Sequence, residues 1–401
     1  MSKSEVLITI LSLSAFFLLI SKVSSRIHGE GLPLTGAVRL DAAPMFPEDD
    51  CALNVCVTLT GSTGVGNNFA DSPSGASPAK EKLYFFRKVT DFLSRSKTVI
   101  TGLETPIISA PDAPADRSNL ARFWSDRWDM PRALNASGIT AVSLANGHIQ
   151  EFGEPGLSAT IAALAEVGIE RFGISRDEIA PYTPLRKTFT VGNKTFALAV
   201  FAASVSDRNR AVPPGSHQVD PLNPAVLANA VTVYKKEFPG TFAVAYLYMG
   251  TPYGRASIAQ QKQARALVDA GVDLVVGYGA RALQEIELYK NKWILYNLGN
   301  FVFTDRGQFQ NRPNTPPFGG ALRIVLTEQG AAVVPTLKLY PLHANNLATD
   351  YQPRFLNKKE FGAAYWCFLR KSAIEYNWWL KRNMVPEKDV NGPFIRLTGA
   401  R

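Results

Sequence analysis

The chain has 401 residues, 46% of them hydrophobic and 19% charged, with 43 Lys and Arg against 34 Asp and Glu for a net charge of +9. This composition excludes a disordered chain and supplies core for one large domain or two smaller ones. The positive balance favours anionic partners, but no zinc-knuckle spacing and no basic run interleaved with aromatics accompanies it, so nucleic acid is not an expected partner.

Val6 to Ile20 (VLITILSLSAFFLLI) carries no charge and is flanked by Lys3, Lys22 and Arg26. The run is shorter than the ~20 residues needed to span a bilayer, but it suits a secretory h-region, with Val23 and Ser25 at signal-peptidase spacing. Residues 1–25 are therefore expected to form a signal peptide or signal-anchor helix. That would leave the folded part membrane-anchored or secreted, on the extracytoplasmic side. Residues 26–51, interrupted by Pro, Gly and charge, read as a linker.

The main domain is expected over 52–358. Leu53 to Leu59 is rich in β formers and ends in a glycine stretch, Gly61 to Gly66, which reads as a plain tight turn because it lacks the Lys-Ser/Thr ending of a P-loop. Cys51, Cys56 and Cys367 are an odd count. An extended chain would carry Cys51 and Cys56 beyond the ~7 Å bridging limit, so no disulfide is expected between them.

Thr98 to Leu103 is the next strand and leads to Glu104-Thr-Pro106, and Thr140 to Leu144 leads to Ala145-Asn-Gly-His148. Side chains with chemistry thus fall at strand ends. Glu154 to Gly168 has an acidic residue and Pro at its start, helical apolar spacing and a closing Gly, which predicts a helix. Ile169 to Ile174 and Thr188 to Phe201 are strands, and Ser204 to Pro224 is a polar loop containing His217. Thr241 to Tyr248 is an apolar strand, Ala256 to Ala270 a Gln-rich helix closed by Gly271, and Val272 to Val276 another strand. Trp293 to Tyr296, Ala321 to Leu326 and Ala331 to Tyr340 complete a strand-rich second half. The alternation predicts an α/β domain. Glu360 to Asn383 reads as a helix docking Phe361, Tyr365, Phe368, Ile374 and Trp378, so residues 359–401 are expected to be a helical tail.

Four of these segments, in this order, resemble the CapA capsule-synthesis (poly-gamma-glutamate biosynthesis) family, whose domain is similar to the calcineurin-like metallophosphatases. Ile294-Leu-Tyr-Asn-Leu-Gly-Asn-Phe-Val-Phe303 resembles the family's glycine-asparagine-phenylalanine strand. Val142 to His148, continuing through Phe152, Gly153, Gly156, Thr160 and Leu164, is similar to its asparagine-histidine loop and following helix. Leu103 to Pro106 resembles its glutamate segment, and Gln260 to Gly277 the helix and strand before its last histidine motif. The resemblance implies a four-layer sandwich of two central mixed β-sheets flanked by helices.

It also implies a site in which carboxylate, Asn and His at strand ends gather one or two metals that polarise an oxygen and activate water. Glu104, Asn146 and His148 keep the family's residue types. Ser62 stands where the family has Asp, Tyr248 where it has His, Pro252 where it has Glu, and Gly279 and Arg281 where it has imidazoles. The implied pocket is Glu104, Asn146, His148, Tyr248, Arg281 and Asn300, with Arg281 a fixed cation able to hold a carboxylate or phosphate. No cofactor is expected, or else one divalent metal on Glu104, Asn146 and His148. A metal-free alternative pairs Ser62 with His148.

Structural roles compete with these: Glu104 accepting backbone hydrogen bonds, Asn146 stabilising its own turn, His148 as a hydrogen-bonded loop residue. His28, His217 and His343 are given no role. The sequons Asn135-Ala-Ser and Asn193-Lys-Thr matter only in a eukaryotic secretory pathway. The expected function is capsule or poly-gamma-glutamate biosynthesis by binding or assembly, as a divergent or inactive hydrolase. Its partners would be an anionic polymer (polyglutamate or capsule polysaccharide) or capsule-synthesis membrane proteins. The alternatives are a residual mononuclear or serine-based hydrolase, and an interaction protein unrelated to polymers.

Overall fold

The apolar, β-branched run around Val57 and Leu59 forms the strand Val55–Gly64 at the heart of a ten-stranded sheet. The computed structural model describes residues 50–66, 82–109, 124–176, 181–205, 215–304, 312, 315–371 and 377–399. The expected leader and nearly all of the linker lie outside these residues. No helix among the described residues is long and apolar enough to cross a membrane.

From one edge, the large sheet runs Met384–Asp389, Gly392–Leu397, Ala332–His343, Phe318–Gln329, Val55–Gly64, Thr98–Leu103, Ala141–Ser143 and Glu170–Phe172. Asn300–Phe303 pairs in parallel with the C-terminal end of Val55–Gly64, and Arg354–Phe355 pairs with Ala332–His343. The second sheet runs Ile286–Tyr289, Lys292–Leu295, Leu274–Tyr278, Phe242–Tyr248, Lys194–Ser204 and Leu185–Val191. Its four inner strands are parallel.

Period-two alternation separates the layers. Along Phe242–Tyr248, Val244 and Tyr246 join the core shared by the two sheets. Ala243, Ala245 and Leu247 join a second core with Leu227 and Val231 of the helix Pro224–Glu237 and Ala264 and Leu267 of the helix Ile258–Asp269. These two helices start where side chains cap them: Asn223 accepts from Val226 N–H ahead of Pro224, and Ser257 accepts from Gln260 N–H. The helix Gly153–Glu166 buries Leu157, Ala163 and Leu164 with the residues of the large sheet. The architecture is the expected mixed α/β one, two large sheets with helices and, among the described residues, two small two-stranded pairs.

Three expectations are corrected. Gly61 to Gly66 is not a turn after the strand; the strand continues to Gly64, paired with Asn300–Phe303 and Thr98–Leu103, and glycine stands at 61 and 64 where neighbouring segments leave no room for a Cβ. A Cβ at Gly61 would lie 2.0 Å from the Gly299 carbonyl oxygen, and one at Gly64 would lie 2.6 Å from the Phe303 ring. Cys51 and Cys56 are disulfide-bonded, with Cα atoms 5.5 Å apart. The chain is not extended there, since Asp50–Ala52 forms a 3-10 turn and the Asp50 carbonyl accepts from Leu53 and Asn54 N–H.

The tail, finally, is not helical throughout. After the helices Lys358–Lys371 and Asn377–Asn383, a hairpin of Met384–Asp389 and Gly392–Leu397 extends the large sheet. Its two-residue loop, Val390-Asn391, is held by the Asp389 side chain, which accepts from Asn391 N–H and from the Tyr340 hydroxyl. Met384, Phe394, Ile395 and Leu397 are buried and anchor it. Phe361, Tyr365 and Phe368 are buried as expected, while Ile374 and the Trp378 side chain lie outside the described residues.

Candidate functional site

Strand pairing builds the site by aligning four short residues in one row. Asn300 is in register with Ser62, Ser62 with Gly102, and Gly102 with Ser143. Residues in register on adjacent strands share a face of the sheet. Gly102 leaves room for the Tyr278 ring of the second sheet, whose Cε2 would lie 2.1 Å from any Cβ there. The Tyr278 hydroxyl donates to the Ala145 carbonyl at 2.7 Å and lies 2.9 Å from Ser143 Oγ. Its ring stacks on Tyr246 at 4.5 Å, and the Tyr246 hydroxyl donates to the Thr60 carbonyl at 2.6 Å. Burial pushes both phenols well above their ordinary range, so neither is an acid at neutral pH.

Beyond the row come the strand-end loops. Asn146 is fully buried, and its amide is committed to backbone. Nδ2 donates to the Leu103 carbonyl at 2.8 Å, and Oδ1 accepts from His148 N–H and Ile149 N–H, both at 3.0 Å. His148 Nδ1 is 2.7 Å from Glu151 Oε1, and Nε2 is 3.9 Å from Glu104 Oε2. Sequence reasoning passed over Glu151, whose only signal was its spacing of three residues from His148 inside one turn. It also gave no separate role to Asn297. That amide ties three loops behind the site, donating to the Met249 carbonyl and accepting from Ala280 and Gly299 N–H.

Two replaced positions fit one another. The Tyr248 ring meets Tyr278 edge-on at 5.4 Å and covers Gly279, where a Cβ would lie 2.6 Å from it. Arg281 has φ of 63°, its guanidinium lies 5.4 Å from the centre of the Phe303 ring, and its carbonyl accepts Asn300 N–H at 3.2 Å. Ser62 Oγ and Asn300 Oδ1 are buried without a hydrogen-bond partner. Ser62 therefore has no base at hydrogen-bond distance, which a nucleophilic serine needs.

The donor set does not fit a two-metal centre. The acceptor positions of the Asn146 carbonyl are both taken by N–H groups, Ser62 offers a hydroxyl in place of a carboxylate, and Arg281 cannot coordinate a cation. Glu104 and His148 Nε2 remain, two donors where an open zinc site uses three from the protein. Among the described residues, no group of three His, Cys, Asp or Glu could hold a metal ion.

A second buried polar cluster lies where Gly173–Ser175 meets 218–221. Asp220 is fully buried, with Oδ2 accepting from Tyr182 N–H at 3.2 Å, while Oδ1 and the hydroxyls of Ser175 and Ser204 have no hydrogen-bond partner. Burial raises the Asp220 carboxyl to about 6, against the hydrogen bond from Tyr182 N–H, which favours the anion. Its folded-state pKa exceeds the unfolded one, so the folded protein binds more protons between about pH 4 and 6, and stability falls as pH rises through that window. Asp220→Asn is expected to flatten this part of the stability profile and to be more stable than wild type at pH 7, by up to roughly 3 kcal/mol. Denaturant midpoints measured from pH 4 to 7 check it, and an unchanged slope would contradict it. His217 stands apart from the pocket residues, 3.9 Å from Glu154.

The class defined so far is an α/β domain with two large sheets in which Glu104, Asn146 and His148 follow the ends of parallel strands. The chain belongs to the family described as bacterial capsule synthesis protein PGA_cap, whose model matches residues 58–305. It is 27% identical over 265 residues to the capsule biosynthesis protein CapA of Bacillus anthracis, covering 64% of this chain and 61% of that protein. It is 29% identical over 184 residues to the PGA biosynthesis protein CapA of Bacillus subtilis, covering 45% of this chain and 47% of that protein. Among solved structures it is similar to Haemophilus influenzae NAD nucleotidase, with a TM-score of 0.42 and 11% identity, covering 78% of this chain and 55% of that one.

Proposed function

We propose that this chain serves capsule or poly-gamma-glutamate biosynthesis by binding an anionic polymer, and that it does not act as a metal-dependent hydrolase. The observation carrying this reading is the Asn146 side chain, held entirely by backbone groups of Leu103, His148 and Ile149, in a chain that otherwise matches the family. The names of the relatives supply the biosynthetic setting. The net charge of +9 suits a polyanion such as polyglutamate or capsule polysaccharide. The Cys51–Cys56 bridge suits an oxidising, extracytoplasmic compartment and agrees with the leader-like residues 1–25. Capsule-synthesis membrane proteins are the alternative partners.

The test is binding of the full-length chain to immobilised poly-γ-glutamate. Retention is expected to weaken as salt rises, and Arg281→Ala is expected to lower affinity about tenfold, the loss of one charge-assisted hydrogen-bonded contact. Failure to bind any anionic polymer at low salt would count against the proposal. One observation favours a second reading, a single-metal hydrolase: the 3.9 Å approach of His148 Nε2 to Glu104, with Nδ1 held by Glu151. Stoichiometric bound metal in the purified protein that disappears in His148→Ala would establish it.

A further inference from the structure

Asp220 ties three separate segments together with three different groups. Its N–H donates to the Gly173 carbonyl at 3.2 Å, its carbonyl accepts Ser204 N–H at 2.9 Å, and its carboxylate Oδ2 accepts Tyr182 N–H at 3.2 Å. The junction is reinforced on either side, since Gln218 and Val219 pair with Ser175 and Ile174, and the Tyr182 hydroxyl donates to the Pro221 carbonyl. The Asp220 side chain is fully buried, and Oδ1 has no hydrogen-bond partner. One backbone N–H is thin support for a buried anion, which ordinarily has a paired cation or several such bonds.

Charged and titratable groups on the surrounding elements are engaged elsewhere. The Tyr182 phenol, raised above its ordinary range chiefly by burial, stays neutral. Arg176 Nε donates to the Gly215 carbonyl, His217 Nδ1 lies 3.9 Å from Glu154, and Lys187 pairs with Glu170. Among the described residues no cation answers the Asp220 carboxylate. The same junction leads to the candidate site by contact. Gly173 lies against Ala145: a Cβ on it would be 2.7 Å from the Ala145 Cβ and 3.1 Å from the Ala145 nitrogen. Ala145 directly precedes Asn146, whose Oδ1 holds His148 N–H and Ile149 N–H. On the other side, Ser204 is in register with Tyr248.

We infer that Asp220 is a proton-operated latch on the loop that carries Asn146 and His148. Uncharged, it holds 218–221 on Gly173 and Ser204. Ionised, it favours states in which its carboxylate reaches water, and the junction and the loop beside Ala145 loosen together. The closed form binds the proton more tightly than the opened one, so closure is complete in acid and weakens as pH rises from about 4 to about 6. A carboxyl moved from 3.8 to about 6 changes the opening equilibrium by up to roughly a hundredfold. Above that window nothing further changes. The latch acts whatever ligand the loop meets.

The experiment is amide hydrogen exchange of the full-length protein at about pH 4 and about pH 7, corrected for the intrinsic pH dependence of exchange, with wild type beside Asp220→Asn. In wild type, opening at the Tyr182 and Asp220 amides is expected to rise at least about tenfold between the two conditions. Opening at His148 and Ile149 is expected to rise with it, while amides of the helix Ile258–Asp269 hold steady. Asp220→Asn keeps an oxygen to accept Tyr182 N–H and carries no charge, so it is expected to abolish the response at the three native amides Tyr182, His148 and Ile149. No pH response at Tyr182 overturns the latch, as does a response that persists in folded Asp220→Asn. A response at Tyr182 with none at His148 overturns the coupling to the site. Should the variant fail to fold, the wild-type comparison still decides, because a rise shared by the helix would mark global unfolding and overturn the inference as well.

Discussion

Gly61→Ala is expected to prevent folding of the domain or to destabilise it by more than about 3 kcal/mol, the upper end of ordinary overpacking. The new methyl carbon would sit 2.0 Å from the Gly299 carbonyl oxygen and 2.9 Å from its carbonyl carbon, and both are backbone atoms that no rotamer change can move. Gly299 cannot retreat, because its own Cβ position is 2.7 Å from the Ala282 backbone. Separating the strands would break the hydrogen bond from Ser62 N–H to the Gly299 carbonyl and the pairing of Ser62 with Asn300, on which the row depends. Gly168→Ala is the control: no atom lies within 4 Å of its Cβ position, so only the left-handed φ of 72° is penalised, at about 1–2 kcal/mol. Soluble yield and denaturant midpoints measure the difference, and a Gly61→Ala protein as stable as Gly168→Ala would contradict the argument.

Tyr278→Ala is expected to cost about 3–5 kcal/mol, the range for deleting a large buried aromatic. Tyr278→Phe isolates the hydroxyl. It keeps the ring on Gly102 and Tyr246 but leaves the Ala145 carbonyl without its phenol donor, at about 1–2 kcal/mol. Because Ala145 precedes Asn146, the hydroxyl also fixes the loop that presents His148. Tyr278→Phe should therefore speed amide exchange at His148, whose N–H is bonded to Asn146 Oδ1, relative to amides in the helix Ile258–Asp269. Uniform exchange across both regions would show that the phenol supports the fold without positioning the loop.

Elements carrying their own punctuation were legible in the sequence. The helices read at Glu154 to Gly168 and Ala256 to Ala270 are found at Gly153–Glu166 and Ile258–Asp269, because Pro, Gly and apolar spacing act within a single turn or two. Family membership was equally legible, since the strings that carried it span most of the matched residues. Features depending on conformation at a single junction were not. The Cys51–Cys56 bridge needed a 3-10 turn where an extended chain was assumed, and the hairpin at Val390-Asn391 was hidden behind an aromatic-rich helix. The candidate site was legible as residue types at strand ends, but its row was not. Ser62 and Asn300 meet only through strand register, and which oxygens stay unpaired follows from hydrogen bonds that no local pattern encodes.

The central position of the strand Val55–Gly64 has a consequence for biogenesis. Val55 pairs with Leu326, about 270 residues later, so on the ribosome this strand waits for its antiparallel neighbour until that length of chain has been made. Any product ending before residue 318 would offer the bare edge of Val55–Gly64 to other chains. Truncated forms should therefore be recovered as aggregates rather than as smaller working domains.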